Sequence, residues 1–339
     1  MTEANSNDNR TAPILAAKAS YLIGVARCAP SLHNTQPWRF TVSGDAIELR
    51  PDARRQLHVD PDGREMIISC GAALYGLRLA VRSLGHLPEV ELLPSPASQR
   101  VLARVRPGRR APMTSAERKL LHAVRHRHTH RGPFDSEPLP TSLFAWLQDD
   151  ARAEGAVLTE IEPGPTREAL MELAVAAGRR QARDPRSRAE TFWWSRDVTS
   201  TAQDGVPAHA FPAVPDRQPG RLPQRDFDLG RGLGQLPADG PSPPVVAVLF
   251  TAGDGDEDWL HAGQALYRLL LHAASQWVFA SLNSQPLEDA ATRSLVRDRL
   301  AVPGAPQMLL ALGVSRTAHP TARRPATDLI ERASPGEQP

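Results

Sequence analysis

The stretch Ala29-Pro30-Ser31-Leu32-His33-Asn34-Thr35-Gln36-Pro37-Trp38-Arg39-Phe40 decides how the rest of the chain is read. Pro30 and Pro37 bracket a loop that presents Ser31, His33, Asn34 and Gln36 just before an apolar strand. Proline fixes its own φ, so such a loop is held rather than free. Serine, asparagine and glutamine both donate and accept neutral hydrogen bonds, as a heteroaromatic ring with alternating carbonyls and ring nitrogens requires. The same residues also read as a turn that caps its own backbone.

Upstream, Ile14, Ala17, Tyr21 and Val25 recur at helical spacing, so a helix is expected over 12–27, capped by Thr11 and opened by Pro13. Downstream, residues 38–42 and 46–50 alternate apolar with polar around Ser43-Gly44-Asp45, the pattern of a hairpin with one buried face. Residues 60–65, DPDGRE, are turn chemistry leading into a helix with Cys70, Leu74, Leu77, Val81 and Leu84 on one stripe, ending at Gly85.

Thr114 and Glu117 form a capping-box pair that opens a second unit, which places a boundary near residue 110. Helices are expected at 141–152, 166–182 and 187–199, the last capped by Ser187 with Glu190. Residues 203–244 hold nine prolines and six glycines in 42 positions and read as a lid or a linker. Regular structure resumes with an apolar strand from 245 to 251. An amphipathic helix follows, carrying Trp259, Ala262, Leu266, Leu269, Leu270 and Ala273, then a helix over 287–300 and a strand over 307–313. Helices grouped around a few strands, without regular βα alternation, predict an α+β layered fold.

Forty basic residues stand against 38 acidic ones, for a net charge of +2, and the arginines are scattered, which gives nucleic-acid binding little support. Only Lys18 and Lys119 are lysine, so individual arginines must be argued from their neighbours. Cys28 and Cys70 are too few for a disulfide framework and read as reduced thiols, Cys70 as core. The first residues lack the pattern of a secretory signal, and the apolar run 245–252 is far short of a membrane span, so a cytoplasmic protein without membrane partners is expected.

Arg127, Thr129 and Arg131 alternate with His126, His128 and His130. In an extended segment the two guanidinium groups and the hydroxyl share a face suited to a terminal phosphate; on the residues alone they also read as a solvated basic helix end. The loop at 30–40 closely resembles the FMN loop P-S-x-x-N-x-Q-P-W-x-F of the nitroreductase superfamily: Pro30, Ser31, Asn34, Gln36, Pro37, Trp38 and Phe40 fill every named place. With DPDGRE and ISCGAAL (67–74) it looks like the Acg-type branch, in which two nitroreductase-like halves are fused.

That resemblance implies a layered α/β/α fold built as an intramolecular pseudo-dimer, residues 1–110 forming one half and 111–339 the other. It places Pro30, Ser31, Leu32 and Asn34 against the flavin. It likens Arg127, Thr129 and Arg131 to the R-x-S-x-R phosphate motif, and Arg323 and Arg324 to the late basic residue that closes the phosphate pocket. It sets Asn283, Ser284 and Gln285 beside the flavin's redox-active nitrogen. The first half has no R-x-S-x-R near its start, and the second has no P-S-x-x-N between 151 and 157. One complete FMN site and one erased site are therefore expected, in a chain that can be monomeric.

Rival chemistries are weaker. His122, His126, His128 and His130 could ligate a metal, but the interleaved arginines would repel a cation. Asp254, Asp256 and Asp258 begin like a calcium loop that Trp259 and Ala265 then break. Gly230, Gly232 and Gly234 neither follow a strand nor open a helix, and Ser31 with His33 lacks a nucleophile elbow. Trp193 and Trp194 read as packing residues or lid anchors. Two functions remain. One is an oxidoreductase in which NAD(P)H reduces FMN and a small flat acceptor, such as a nitroaromatic or quinone, is reduced in turn, with no side chain needed as acid or base. The other is an FMN store closed by a lid.

Overall fold

Trp38, Phe40 and Leu49 are fully buried, and they seat the hairpin after the proline-bracketed loop on the core. The computed structural model describes residues 12–44, 46–94, 100–213, 222–235, 245–316 and 320–331. Helix α1 (Ala12–Ala26) precedes the loop; its expected cap, Thr11, lies outside the described residues. Strands β1 (Trp38–Ser43) and β2 (Ala46–Pro51) pair antiparallel with Phe40 opposite Leu49. Helix α2 (Arg64–Ser83) is capped from the DPDGRE turn, where the Asp60 carboxylate accepts from the backbone N–H groups of Glu65 and Met66 at 3.0 and 2.9 Å. α2 is apolar and long enough to cross a membrane, yet 89% of its most apolar window is buried, so it is the core helix of the first layer. Strands β3 (His86–Leu92) and β4 (Ala103–Arg110) follow, unanticipated by the sequence reading.

Helix α3 (Ser115–Ala123) opens on the expected reciprocal pair: the Thr114 hydroxyl accepts from Glu117 N at 3.2 Å and the Glu117 carboxylate from Thr114 N at 2.7 Å. Next come α4 (Leu143–Ala153), β5 (Val157–Glu160), α5 (Pro165–Arg183) and α6 (Pro185–Trp194). The start of α6 differs from expectation. Asp184 caps it, accepting from Ser187 N at 3.0 Å, and Glu190 instead holds the 58–59 backbone. Trp194 is buried, whereas the Trp193 side chain is 68% exposed.

Short strands β6 (Ser195–Arg196) and β7 (Val206–Pro207) pair in parallel. Then come β8 (Val245–Thr251), α7 (Asp256–Ser275) and β9 (Val278–Asn283). The helix expected at 287–300 is split into α8 (Gln285–Glu288) and α9 (Ala290–Leu300), because the Asp289 side chain caps the second piece through Thr292 N at 2.9 Å. Strands β10 (Ala305–Val314) and β11 (Ile330–Glu331) end the described fold.

Apart from the β6–β7 pair, the described strands form two sheets with one repeated order: β1-β2-β4-β3 in the first and β5-β8-β10-β9 in the second, each with a long helix between its second and third strands in sequence. α2 backs the first sheet, α7 backs the second, and the two helices pack on each other. Two glycines permit the contact: a Cβ on Gly71 would lie 2.4 Å from Leu260 O, and one on Gly263 2.0 Å from Ile68 O. β11 crosses over and pairs in parallel with β1, on the edge of the first sheet. This mixture of helices and sheets is the expected α+β class.

Candidate cofactor site

The proline-bracketed loop turns sharply because three of its non-glycine residues occupy the left-handed region: His33 (φ 51°), Asn34 (φ 55°) and Gln36 (φ 50°). Such conformations cost about 1–3 kcal/mol each and persist only where surrounding contacts impose them. The contacts are present. Ser31 Oγ accepts from Gln36 N at 2.9 Å, Asn34 Nδ2 donates to Gly205 O at 2.9 Å and Ala322 O at 3.1 Å, and Gln36 Nε2 donates to Gln203 O at 2.9 Å. Gln36 Oε1 accepts from Arg324 N at 2.8 Å. Asn34 and Gln36 thus fasten the loop to the segments behind it.

The other side of the loop walls a cavity that is partly open to solvent. Pro30, Ser31, Leu32 and His33 form one wall, Glu65 and Ser69 of α2 a second, and the turn from β9 into α8, Asn283 to Gln285, a third. Thr129 and Arg131 close one end, and Arg225 and Phe227 cover the cavity. The segment 127–131 is extended: Thr129 bridges Ala280 in parallel and His130 N donates to Ala280 O at 2.9 Å. The histidines alternate away from this site, His128 packing 4.2 Å from Phe279 and His130 4.6 Å from Phe134 between ring centroids.

Arg131 leads from the cavity into a cluster of buried and half-buried cations. Arg127 is 7% exposed, and its Nε and Nη1 have no hydrogen-bond partner; the Nε atoms of Arg27 and Arg323 are likewise unpartnered. Burial, then the neighbouring charge of Arg127, pushes both Arg131 and Arg323 down to about 10, and burial lowers Arg127 as well. The opposing influences come from Tyr267 and Cys28, not from a carboxylate. Like charges gathered out of water without a counter-ion are unfavourable, so the cluster is chemically suited to an anion. Arg324, by contrast, turns to Gln36 O and Asp328 O and supports the loop.

The side chains at the β9–α8 turn are mostly engaged. Asn283 Nδ2 donates to Pro223 O, Ser284 Oγ to Glu288 at 2.6 Å, and Gln285 Nε2 to Gln181 at 2.8 Å. A ligand there would meet backbone more than these amide and hydroxyl donors. Glu65 is buried beside Arg64; desolvation raises its carboxyl to about 7, with Asp60 and Glu288 adding to the shift against Arg64 and Arg225.

The structure therefore gathers Pro30, Ser31, Leu32, Thr129, Arg131, Asn283, Ser284 and Gln285 around one cavity, with Arg127 and Arg323 in the adjoining cluster. Asn34 and Arg324 stand behind the loop. Sequence reading missed Glu65, Ser69, Arg225, Phe227, Tyr267 and Arg27. DPDGRE pointed to the first of these; Arg225 and Phe227 lie in the irregular stretch, where no periodicity marks them.

Between α4 and β5 the loop is only Glu154 to Ala156, and Glu154 is ion-paired with Arg78 at 2.5 Å and Arg268 at 2.9 Å. Arg268 and His272 continue to Asp150 at 2.8 and 2.5 Å.

No protein-family profile matches the chain. It is 34% identical over 314 residues to "Putative NAD(P)H nitroreductase Rv3131" of Mycobacterium tuberculosis, covering 89% of this chain and 88% of that protein. It is 27% identical over 307 residues to "Putative NAD(P)H nitroreductase acg" of the same organism, covering 89% and 92%. Among solved structures, a nitroreductase with bound FMN from Desulfitobacterium hafniense matches with a TM-score of 0.38 and 13% identity, over 64% of this chain and 98% of that one.

Proposed function

Because the chain belongs to the nitroreductase superfamily, in its Acg-type branch, we propose that it binds one FMN in this cavity and acts as an NAD(P)H-dependent oxidoreductase on a small flat acceptor such as a nitroaromatic or quinone. The observation that carries the reading is the arginine cluster around buried Arg127, whose unpartnered N–H groups adjoin the cavity. FMN, when bound, supplies the two-electron chemistry. Arg127, Arg131 and Arg323, with the Thr129 hydroxyl, neutralise and orient the phosphate. Leu32, Ile68, Leu266 and Met308 supply apolar cavity wall, and the backbone of 283–285 faces the reacting end. Residues 1–110 and 111–339 are read as the two nitroreductase-like halves, with β11 exchanged between them.

The erased second position gives a stoichiometry. Saturation at one FMN per chain is expected, because each half lacks one of the two motifs, and is measured by flavin absorbance of the reconstituted protein against protein concentration; two equivalents would contradict the reading of a single complete site.

A specific observation favours sequestration as the second reading. Described parts of the Pro/Gly-rich stretch are fastened at the cavity and behind its loop: Pro223 to Asn283 and Arg225 to Glu288 through a buried ion pair at 2.5 Å beside the cavity, and 203–205 to Gln36 and Asn34 on the loop's far side. Residues 214–221 and 236–244 of that stretch lie outside the described residues. The deciding experiment adds NADH or NADPH to the FMN-loaded protein without oxygen and follows the visible flavin band. Bleaching at a rate that supports turnover with a quinone establishes the oxidoreductase. If the band persists in the native protein but bleaches in R225M/E288M, which removes the pair without leaving either charge alone, the cover limits access and storage is the better description.

A further inference from the structure

His33 is 2% exposed, lines the cavity, and has no hydrogen-bond partner at either Nδ1 or Nε2. A buried polar atom left without a partner costs about 1–3 kcal/mol, and native structures rarely tolerate one without a purpose. Here a single side chain carries two. The backbone adds to the cost, since His33 sits at φ 51° and ψ 17° inside a loop that Asn34 Nδ2 and Gln36 Nε2 hold in place. The ring meets Phe227 edge-on at 5.4 Å, so it is pinned in orientation without being satisfied.

We propose that His33 is a ligand-contacting residue: its neutral imidazole donates a hydrogen bond to an sp² oxygen on a flat ring bound in the cavity. Burial and the positive charges of Arg225 and Arg131 hold the ring uncharged, so it keeps one N–H and one lone pair. Arg225 is ion-paired with Glu288, but Arg131 contributes positive charge beside the cavity, which favours an electron-rich oxygen at the end of that N–H. Two sources share this chemistry: a ring carbonyl of the flavin, or the oxygen of a quinone or nitro acceptor beside it. The flavin source rests on the proposed function; the quinone source does not need it.

The test uses the whole chain with His33→Phe, which keeps a ring against Phe227 but removes both nitrogens, and His33→Asn, which restores an N–H on a residue that accepts the left-handed conformation. FMN and riboflavin binding are titrated by fluorescence, and 1,4-naphthoquinone binding by calorimetry, on native protein and both variants. Loss of one neutral hydrogen bond corresponds to about three- to tenfold weaker binding. A loss of that size for FMN and riboflavin alike in H33F, recovered in H33N, assigns the flavin carbonyl. Unchanged flavin affinity with weaker quinone binding assigns the acceptor. Unchanged affinity for all three overturns the proposal and leaves the flavoprotein reading intact. Native protein that takes up no flavin overturns that reading, and the quinone arm then decides His33 alone. An independent readout is the thermal midpoint of the ligand-free protein: H33F should match or exceed the native value, because it discards two orphaned nitrogens, and a lower midpoint would mean that they serve the fold.

Discussion

Gly263→Ala is expected to destabilise the protein by about 3 kcal/mol or more, the upper range for forcing an extra carbon into a packed core. The new Cβ would lie 2.0 Å from Ile68 O, 2.7 Å from Ala72 N and 2.8 Å from Gly71 Cα, all backbone atoms of α2 that cannot swing aside. Helix propensity predicts the opposite sign, since alanine is favoured over glycine by about 1 kcal/mol inside a helix. Urea unfolding therefore decides whether the close approach of α2 and α7 governs the fold. Gly24→Ala is the control: it also lies in a helix, but with nothing within 4 Å of its added Cβ it should stabilise slightly. A G263A protein as stable as the native one would mean that the helices can separate without cost.

The second large effect belongs to the phosphate. Replacing Arg127 and Arg131 together with alanine removes two charged hydrogen bonds worth about 1.5–3 kcal/mol each, so FMN affinity should fall about a hundredfold or more. Riboflavin, which lacks the phosphate, should bind the variant and the native protein alike. Without ligand, the sign reverses: the variant should be the more stable, because two buried like charges have been taken away. Equal losses for FMN and riboflavin would place these arginines elsewhere than at the phosphate.

The sequence made some parts of this architecture legible and hid others for physical reasons. α1, the β1–β2 hairpin, α2, β8, α7 and β10 were readable because each buries one face or both and so carries a clean apolar period. β3 and β4 were not: in His86–Leu92 and Ala103–Arg110 the outward residues Glu91 and Arg104 pair across strands, and proline and glycine interrupt the alternation. β5 is four residues long, too short to show a period. At the site, the segments at 30–33, 129–131 and 283–285 were each legible from local motifs, but their convergence is tertiary. Arg323 and Arg324 are adjacent and chemically identical; only the folded backbone shows that the first joins the cations while the second holds Gln36 O. His33 stood in plain view in the decisive stretch, and its significance depended on what failed to surround it.

The crossing of β11 has a consequence for how the protein is made. Phe40 N donates to Leu329 O at 2.8 Å, and Arg39 donates to Asp328 O, 289 positions away in sequence. During synthesis the first sheet must therefore wait, with one edge unpaired, until almost the whole described chain has left the ribosome. Were β1 and β11 on separate molecules, this pairing would be bimolecular and would weaken on dilution; tethering makes it unimolecular, at an effective concentration set by the intervening chain. The same tether leaves an alternative at high protein concentration, in which the strand of one molecule completes the sheet of another and a closed monomer is exchanged for a swapped dimer.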